Sequence, residues 1–433
     1  MTILAKLIET LVILFNLHCK DNIWRLTLVG TINSIGLFIG LPIAGILSDR
    51  FGRKLILIGT LVLSGICGLV RSFTHTYIFF LVMEFLDSVF GAGAYAAAFI
   101  LGLELVGSNK RILVGLLINM SYSAGGIIEG AFAWLFESWR PLLQVLYALP
   151  LVCICYYWFV PESVKWLLSK KRYTQAEQIL QNLAKVNKKT ISKDKIHKLC
   201  LNSDTDEIIK THPFRDLCSS SILILRFVNC SLCWVACIFV YNGLTINSVA
   251  LSGNSYLDFI LTMFVELPGA LVAFFVVDRL GRKLTFAAGF FISAVSCICT
   301  IFVPPELYSV KLIVYLLGKF GISVNMSVIY IFTSEMFPTP LRNSLVSMCS
   351  MFGRIGAMIA PQIPLLEATW QPLPLVLFGA SSVVAGFLAL LLPETMNLKL
   401  PDTITEAENI KKQKNSKNKN IIENTCDTTK SVP

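Results

Sequence analysis

Charge is scarce in this chain. Of 433 residues only 15% are Asp, Glu, Lys or Arg, whereas soluble domains carry roughly 25%. That shortfall argues against an ordinary water-soluble domain. The short alternating segments of about ten residues that build membrane β-barrels are also missing. The 13 cysteines form no disulfide framework, because most lie inside apolar runs as small hydrophobes. Cys230 and Cys233 make a CxxC, but no His or acid stands beside it, so packing outweighs zinc or redox chemistry. Walker A, HExxH and GxSxG patterns are absent, which leaves an ATP-driven pump or a membrane hydrolase unsupported. No cofactor, no metal and no enzymatic activity are indicated. The one dinucleotide-like pattern, "GAGAYA" at Gly91–Ala96, lies inside an apolar run with no strand before it, and reads as close helix packing.

What is present is length without charge. The apolar residues, 55% of the chain, gather in runs of about 20, enough to cross roughly 30 Å of hydrocarbon as helix. Eleven spans are expected, near 26–47, 55–73, 77–105, 112–136, 141–160, 222–242, 256–277, 284–303, 312–334, 343–365 and 371–392. Lys and Arg number three in the 48–54 gap, two in 107–111 and three in 278–283, with many more in 161–221 and in the tail. The alternate gaps hold Arg71, Arg140, none, Lys311 at one border and none. Basic-rich gaps stay in the cytosol, so those gaps and the C-terminus are expected there. The net charge of +10 is therefore topogenic, and no nucleic-acid partner is expected. The sequons at Asn119, Asn229 and Asn325 fall within spans and should stay unmodified.

Eleven spans with a cytosolic C-terminus require an external N-terminus. Yet residues 1–25 hold no signal peptide, only a short apolar run broken by Lys6 and Glu9. The expectation is that an upstream span is absent from this chain, a translocated N-terminus being the alternative. Segment 161–221 is polar, with Ala176, Ile179, Leu180, Leu183 and Ala184 on one helical face. The Lys/Asn-rich end of the chain is expected to be disordered.

Three features recur at nearly one offset. Asp49 and Asp278 are 229 apart, Glu104 and Glu335 are 231 apart, and Glu162 and Glu394 are 232 apart. Each member of the second pair is followed seven residues later by an arginine, Arg111 and Arg342. Six of the seven residues of "DRFGRKL" return in "DRLGRKL". The chain is thus two similar halves in parallel order, one of the transporter architectures. The layout expected is 1–25 as the end of an extracellular loop, 26–160 as a five-helix bundle, 161–221 as a cytosolic segment, 222–392 as a six-helix bundle, and 393–433 as a cytosolic tail.

Several stretches carry a family resemblance: "GILSDRFGRK" (Gly45–Lys54), "PESVKWLLSKKRYTQAEQIL" (Pro161–Leu180), "YNGL" (Tyr241–Leu244), "ELPG" (Glu266–Gly269), "SEMFPTPLRN" (Ser334–Asn343), "GRIGAMIAP" (Gly353–Pro361) and "LPETMNLKLPDTITEAE" (Leu392–Glu408). On these the chain resembles the major facilitator superfamily and, within it, the organic cation/anion/carnitine transporter family, from about Phe15 to Glu406. It departs at Lys165, where arginine is usual. The family's first helix and large extracellular loop have no counterpart, and "FNLHCKDNIW" looks like that loop's end. The resemblance implies an all-α integral membrane fold of two pseudo-symmetric bundles, with eleven of twelve helices present. It implies alternating access, in which one half rocks on the other, in the plasma membrane, with the monomer sufficient.

The charged loops suit such a carrier. Asp49 is placed to face a helix N-terminus. Arg50 and Arg53 can pair with Glu104 and Glu162, and Arg111 completes the cluster. Asp278, Arg279, Arg282, Glu335, Arg342 and Glu394 repeat it, arginine being chosen for its bidentate fork. The resemblance implies a cytosolic latch. Topogenic loops alone would explain the basic residues but not the matched acids.

Charges inside spans are costly and point to function. Glu84, Asp87 and Glu129 fit either a cavity or structural pairs, and Arg226 reads as a snorkelling residue near a span end. Glu266, Lys319 and Arg354 are central to their spans. They are expected to border the substrate cavity, a structural ion pair being the alternative. Tyr122, Tyr241 and Tyr330 could hold an organic cation by cation–π attraction, or simply pack. The resemblance implies an acid on helix ten and an aspartate on helix eleven in cation carriers. Here those positions read Ser327 and Arg354, which leans towards an anion or a zwitterion such as carnitine. A non-transporting relative and a sugar porter stay open as alternatives.

Overall fold

A backbone in hydrocarbon finds no water, so its N–H and C=O groups must bond within the segment, and each span becomes a helix. The computed structural model describes residues 23–107, 110–136, 138–188, 220–251, 254–304, 306–396, 398, 401 and 403–409. Among these, every regular element is helical. The chain divides into two units, Thr2–Lys210 and Thr211–Pro433.

The first unit runs α1 (Ile23–Phe51), α2 (Arg53–Ser72), α3 (Tyr77–Leu105), α4 (Arg111–Leu135) and α5 (Trp139–Val152). A 3-10 turn at Cys153–Cys155 then leads to α6 (Tyr156–Phe159), α7 (Val164–Ser169) and α8 (Tyr173–Val186). Helices α1 and α2 both pack on α3. At Gly93 an added Cβ would lie 2.8 Å from both Ala44 Cβ and Thr60 Cγ2, so the Gly91–Ala96 stretch serves helix packing. The amphipathic α8 buries Ala176 and Ala184, and Ile179 packs with Trp166 and Leu167 of α7.

The second unit runs α9 (Ser221–Asn247), α10 (Ser255–Phe264), α11 (Glu266–Leu280), α12 (Arg282–Phe302), α13 (Tyr308–Met336), α14 (Thr339–Ile359), α15 (Leu373–Leu391) and α16 (Ile404–Glu408). A 3-10 segment, Ala360–Ala368, links α14 to α15. Its core is built on the fully buried Trp234, Phe290, Phe332 and Phe378. The cysteines Cys230, Cys233, Cys237 and Cys349 are buried and unbridged, as packing groups should be.

Among the described residues ten helical segments are long and apolar enough to cross a membrane. The span expected at 112–136 is the helix α4, Arg111–Leu135. The structure departs from the sequence-based expectations in three places. The first described helix already includes Ile23, inside the stretch assigned to a loop; residues 1–22 lie outside the described chain. The span expected at 256–277 is one apolar run, Ser255–Leu280, but it bends at Val265 between α10 and α11, because Pro268 brings no N–H to the carbonyl of Phe264 and its ring crowds that turn. Finally, the tail is not featureless. Thr403 caps α16 by accepting from the Glu406 amide at 3.3 Å, and Ala407 is buried. Residues 410–433 lie outside the described chain.

Candidate functional site

The duplicated motif becomes a duplicated clasp, one in each unit. In the first, Arg53 binds Asp49 at 3.0 Å and Glu104 at 3.4 Å. Glu162 accepts from the amides of Arg53 (3.0 Å), Lys54 (3.1 Å) and Ser163 (2.9 Å). The Ser163 hydroxyl in turn donates to Glu104. In the second, Arg282 binds Asp278 at 3.0 Å and Glu335 at 3.2 Å. Glu394 accepts from the amides of Arg282 (3.0 Å), Lys283 (3.1 Å), Thr395 (2.9 Å) and Met396 (3.0 Å). The Thr395 hydroxyl donates to Glu335 at 2.5 Å.

Two corrections follow. Asp49 was expected at a helix start, but the carboxylate that neutralises the first amides of α2 is Glu162, and its counterpart Glu394 serves α12. Asp49 and Asp278 are instead exposed i,i+4 partners of their arginines. The physical reason is reach: Pro161 and Pro393 turn the chain so that the following glutamate meets a helix N-terminus, where orphan amides and the helix dipole favour an anion. Nor do Arg50 and Arg279 join the acids. Both are exposed, and the Arg50 guanidinium lies over the Phe51 ring at 5.4 Å. Arg342 donates to the carbonyls of Phe337 (3.3 Å) and Pro401 (3.4 Å), tying the start of α14 to the tail. Arg111 opens α4, and its side chain lies outside what is described. Sequence reasoning missed Ser163 and Thr395. Their signal was the hydroxyl residue that follows the glutamate in both "PES" and "PET".

Each clasp also explains its glycine. Gly52 and Gly281 stand at φ 109° and 94°, where an L side chain is strained. A Cβ at these positions would lie 2.4 Å from Glu162 Oε2 and 2.6 Å from Glu394 Oε2. Gly52→Ala and Gly281→Ala are each expected to cost about 1–3 kcal/mol, read as lower melting temperatures of the purified protein. Gly45→Ala, with nothing within 4 Å of the added Cβ, is the control. Equal melting of Gly281→Ala and Gly45→Ala would remove the clasp argument.

Within the second unit the break at Val265 sets Glu266 at the start of α11. Its carboxylate meets Lys319 of α13 at 2.8 Å, with side-chain exposures of 5% and 0%. Lys319 Nζ also donates to Thr245 Oγ1 at 2.6 Å and to the Tyr241 carbonyl at 3.3 Å. It sits 3.5 Å from the centroid of the Tyr241 ring. Glu266 and Lys319 form the ion pair that stood as the alternative to a cavity role, and Tyr241 packs against the ammonium. Burial explains this: a lone charge in the bundle is far costlier than a paired, hydrogen-bonded one. Arg354 of α14 is half-buried, its Nε has no hydrogen-bond partner, and no carboxylate pairs with it among the described residues. Tyr330 is exposed and meets Trp234 edge-on at 4.6 Å. Tyr122 is exposed in the first unit, edge-on to Tyr95 at 6.2 Å.

The first unit holds a buried network of its own. Arg71, counted from sequence as a loop residue, is buried at the end of α2. Its guanidinium pairs with Glu84 and, at 3.5 Å, with Asp87, both on α3. Asp87 accepts from Ser64 and Tyr147 hydroxyls at 2.5 Å each, and Asn33 donates to Glu84 at 2.8 Å. Glu84 and Asp87 therefore take the structural option. Arg226 does not snorkel: it donates to the carbonyls of Ala407 and Glu408, holding α16 against α9.

Residues 16–419 match the family described as sugar (and other) transporter. The chain is 37% identical over 409 residues to solute carrier family 22 member 3 of Mus musculus, covering 93% of this chain and 72% of that one. It is 34% identical to solute carrier family 22 member 1 of Oryctolagus cuniculus, over 94% and 73% of the two chains. It is 32% identical to the organic cation transporter protein of Drosophila melanogaster, over 94% and 76%. Among solved structures, the inward open conformation of the xylose transporter XylE from E. coli matches in fold with a TM-score of 0.74, over 92% of this chain and 94% of that one, at 17% identity. Ten apolar helices among the described residues, a duplicated clasp and these relatives agree: the chain is a multi-pass integral membrane protein that belongs to the sugar (and other) transporter family of the major facilitator superfamily and, within it, to solute carrier family 22.

Proposed function

We propose that this chain carries small organic ions across the plasma membrane by alternating access, with its basic loops and C-terminus in the cytosol and the two clasps acting as cytosolic latches. Arg354 is the group that meets the substrate's carboxylate, so the cargo is an organic anion or a zwitterion. One observation carries this reading. In the second unit Glu266 and Lys319 cancel each other at 2.8 Å, while Arg354 keeps a buried Nε without a partner. The Arg354 guanidinium is left without a carboxylate inside its own helix, and a guanidinium in that state favours one. A cation reading draws support from the first unit, where Arg71 faces two acids, Glu84 and Asp87, and from the organic cation transporter of Drosophila melanogaster among the relatives. The sugar-porter reading is weaker, since the relatives at 32–37% identity are organic-ion carriers by name or members of solute carrier family 22.

The deciding measurement is uptake of labelled organic cations, carnitine and dicarboxylates into cells. Arg354→Ala is expected to lower uptake of the carboxylate-bearing substrates about tenfold or more, the loss of one charged hydrogen-bonded contact. Uptake of cations alone, unchanged in Arg354→Ala, overturns the assignment of charge. No uptake of any class by a surface-resident protein favours a non-transporting relative.

A further inference from the structure

Beside the first clasp lies a cavity of about 750 Å³, bounded by α2, α6, α7 and α8. It is lined by two cations, Lys54 and Arg172, and by the amides of Gln175, Gln178 and Asn182 on one face of α8. Both cations are held by aromatic rings. Lys54 Nζ lies 4.7 Å from the Tyr157 centroid, and the Arg172 guanidinium 5.3 Å from that of Trp166. Among the described residues neither has an ion-pair partner. The acid in the wall, Glu162, is spent on the amides of Arg53, Lys54 and Ser163. Lys170 and Lys171 precede Arg172 in the turn from α7 to α8, and Lys171 holds φ 58°. The floor is polar and basic, but one rim is greasy. Trp158 and Phe159, at the end of the span that runs from Trp139 to Phe159, are 71% and 81% exposed.

We propose that this cavity binds the phosphate headgroup of an anionic membrane phospholipid. Its acyl chains lie along Leu55, Trp158 and Phe159, and its phosphate lies between Lys54 and Arg172. Three features point to a lipid over a soluble anion. The cavity opens where a membrane-crossing helix ends. Exposed aromatics at that depth are interfacial anchors. Arginine and lysine at the basic ends of spans meet the anionic leaflet. The guanidinium is also the natural phosphate fork. The site touches the clasp directly, because the Lys54 amide donates to Glu162 and Trp166 Nε1 donates to the Asp49 carbonyl at 3.0 Å. Bound lipid thereby steadies the clasp from outside. The inference rests on the membrane-spanning reading but on no particular substrate.

The test uses the full chain purified in detergent, with dioctanoyl phosphatidylinositol 4-phosphate as probe and both dioctanoyl phosphatidylcholine and inorganic phosphate as comparisons. Binding is read by native mass spectrometry and by thermal shift. The anionic lipid is expected to bind and raise the melting temperature, and the comparisons are not. Arg172→Gln and Lys54→Gln should each weaken binding roughly fivefold and together about thirtyfold, at about 1 kcal/mol per surface cation. Lys110→Gln, in a different loop, should not weaken it. If the double variant does not fold, the Arg172→Gln titration alone decides. Undiminished lipid binding in the variants, equal stabilisation by inorganic phosphate, or no stabilisation by the anionic lipid each overturns the proposal. The readout is independent of uptake, so a protein that binds the lipid but moves no solute refutes the transport reading and spares this one.

Discussion

Arg71→Leu is expected to leave the first unit unable to keep its fold. The guanidinium is enclosed between α2, α3 and α5, against Glu84, Asp87 and the Tyr147 hydroxyl at 2.7 Å. The Phe80 and Tyr147 rings flank it at 5.4 and 5.0 Å. Its removal strands two buried carboxylates and costs about 3–5 kcal/mol, a large share of a typical stability of roughly 5–15 kcal/mol. The expected result is loss of monodisperse protein on purification. Adding Glu84→Gln and Asp87→Asn removes the stranded charge and should restore much of the yield. An Arg71→Leu protein that melts with the wild type would show that the network contributes nothing.

Lys319→Met should be comparably damaging, because it removes the ammonium that the buried Glu266 carboxylate meets at 2.8 Å. The double variant Glu266→Gln/Lys319→Met tests the cause. Buried pairs exchanged for neutral groups of similar volume often fold as well as the original. Recovery of melting temperature in the double variant, against a loss of about 3–5 kcal/mol in Lys319→Met, is therefore expected. A double variant no better than the single one would mean that the contacts of Lys319 with Thr245 and the Tyr241 carbonyl matter more than the charge. Uptake by a well-folded double variant separates a structural pair from one that transport needs.

The spans, the duplicated halves and the arginine–acid content of both clasps were legible in the sequence, because hydropathy and a repeated offset need no tertiary knowledge. Which carboxylate caps the helix was not. Asp49 and Glu162 are equally acidic on the page, and only the path set by Pro161 brings Glu162 to the α2 amides. Arg71 was misread because an arginine at the end of an apolar run looks the same whether it points to water or inward. The clue was Glu84 and Asp87, one turn apart near the start of the next helix. Pro268 in "ELPG" marked the break that positions Glu266. The pairing of Lys319 with Tyr241 depends on α9 and α13 meeting, which no local pattern reveals. The tail helix escaped notice because α16 is five residues long and depends on Arg226, distant in sequence, for its terminal carbonyls.

The Lys319 ammonium, seated on the Tyr241 face with a carboxylate at its side, has the same components as an aromatic box for alkylammonium guests. The protein fills that box with its own side chain. In the carrier proposed above, an organic amine would have to expel a tethered rival held by Glu266, Thr245 and the Tyr241 carbonyl, whereas a carboxylate would meet no such competitor at Arg354.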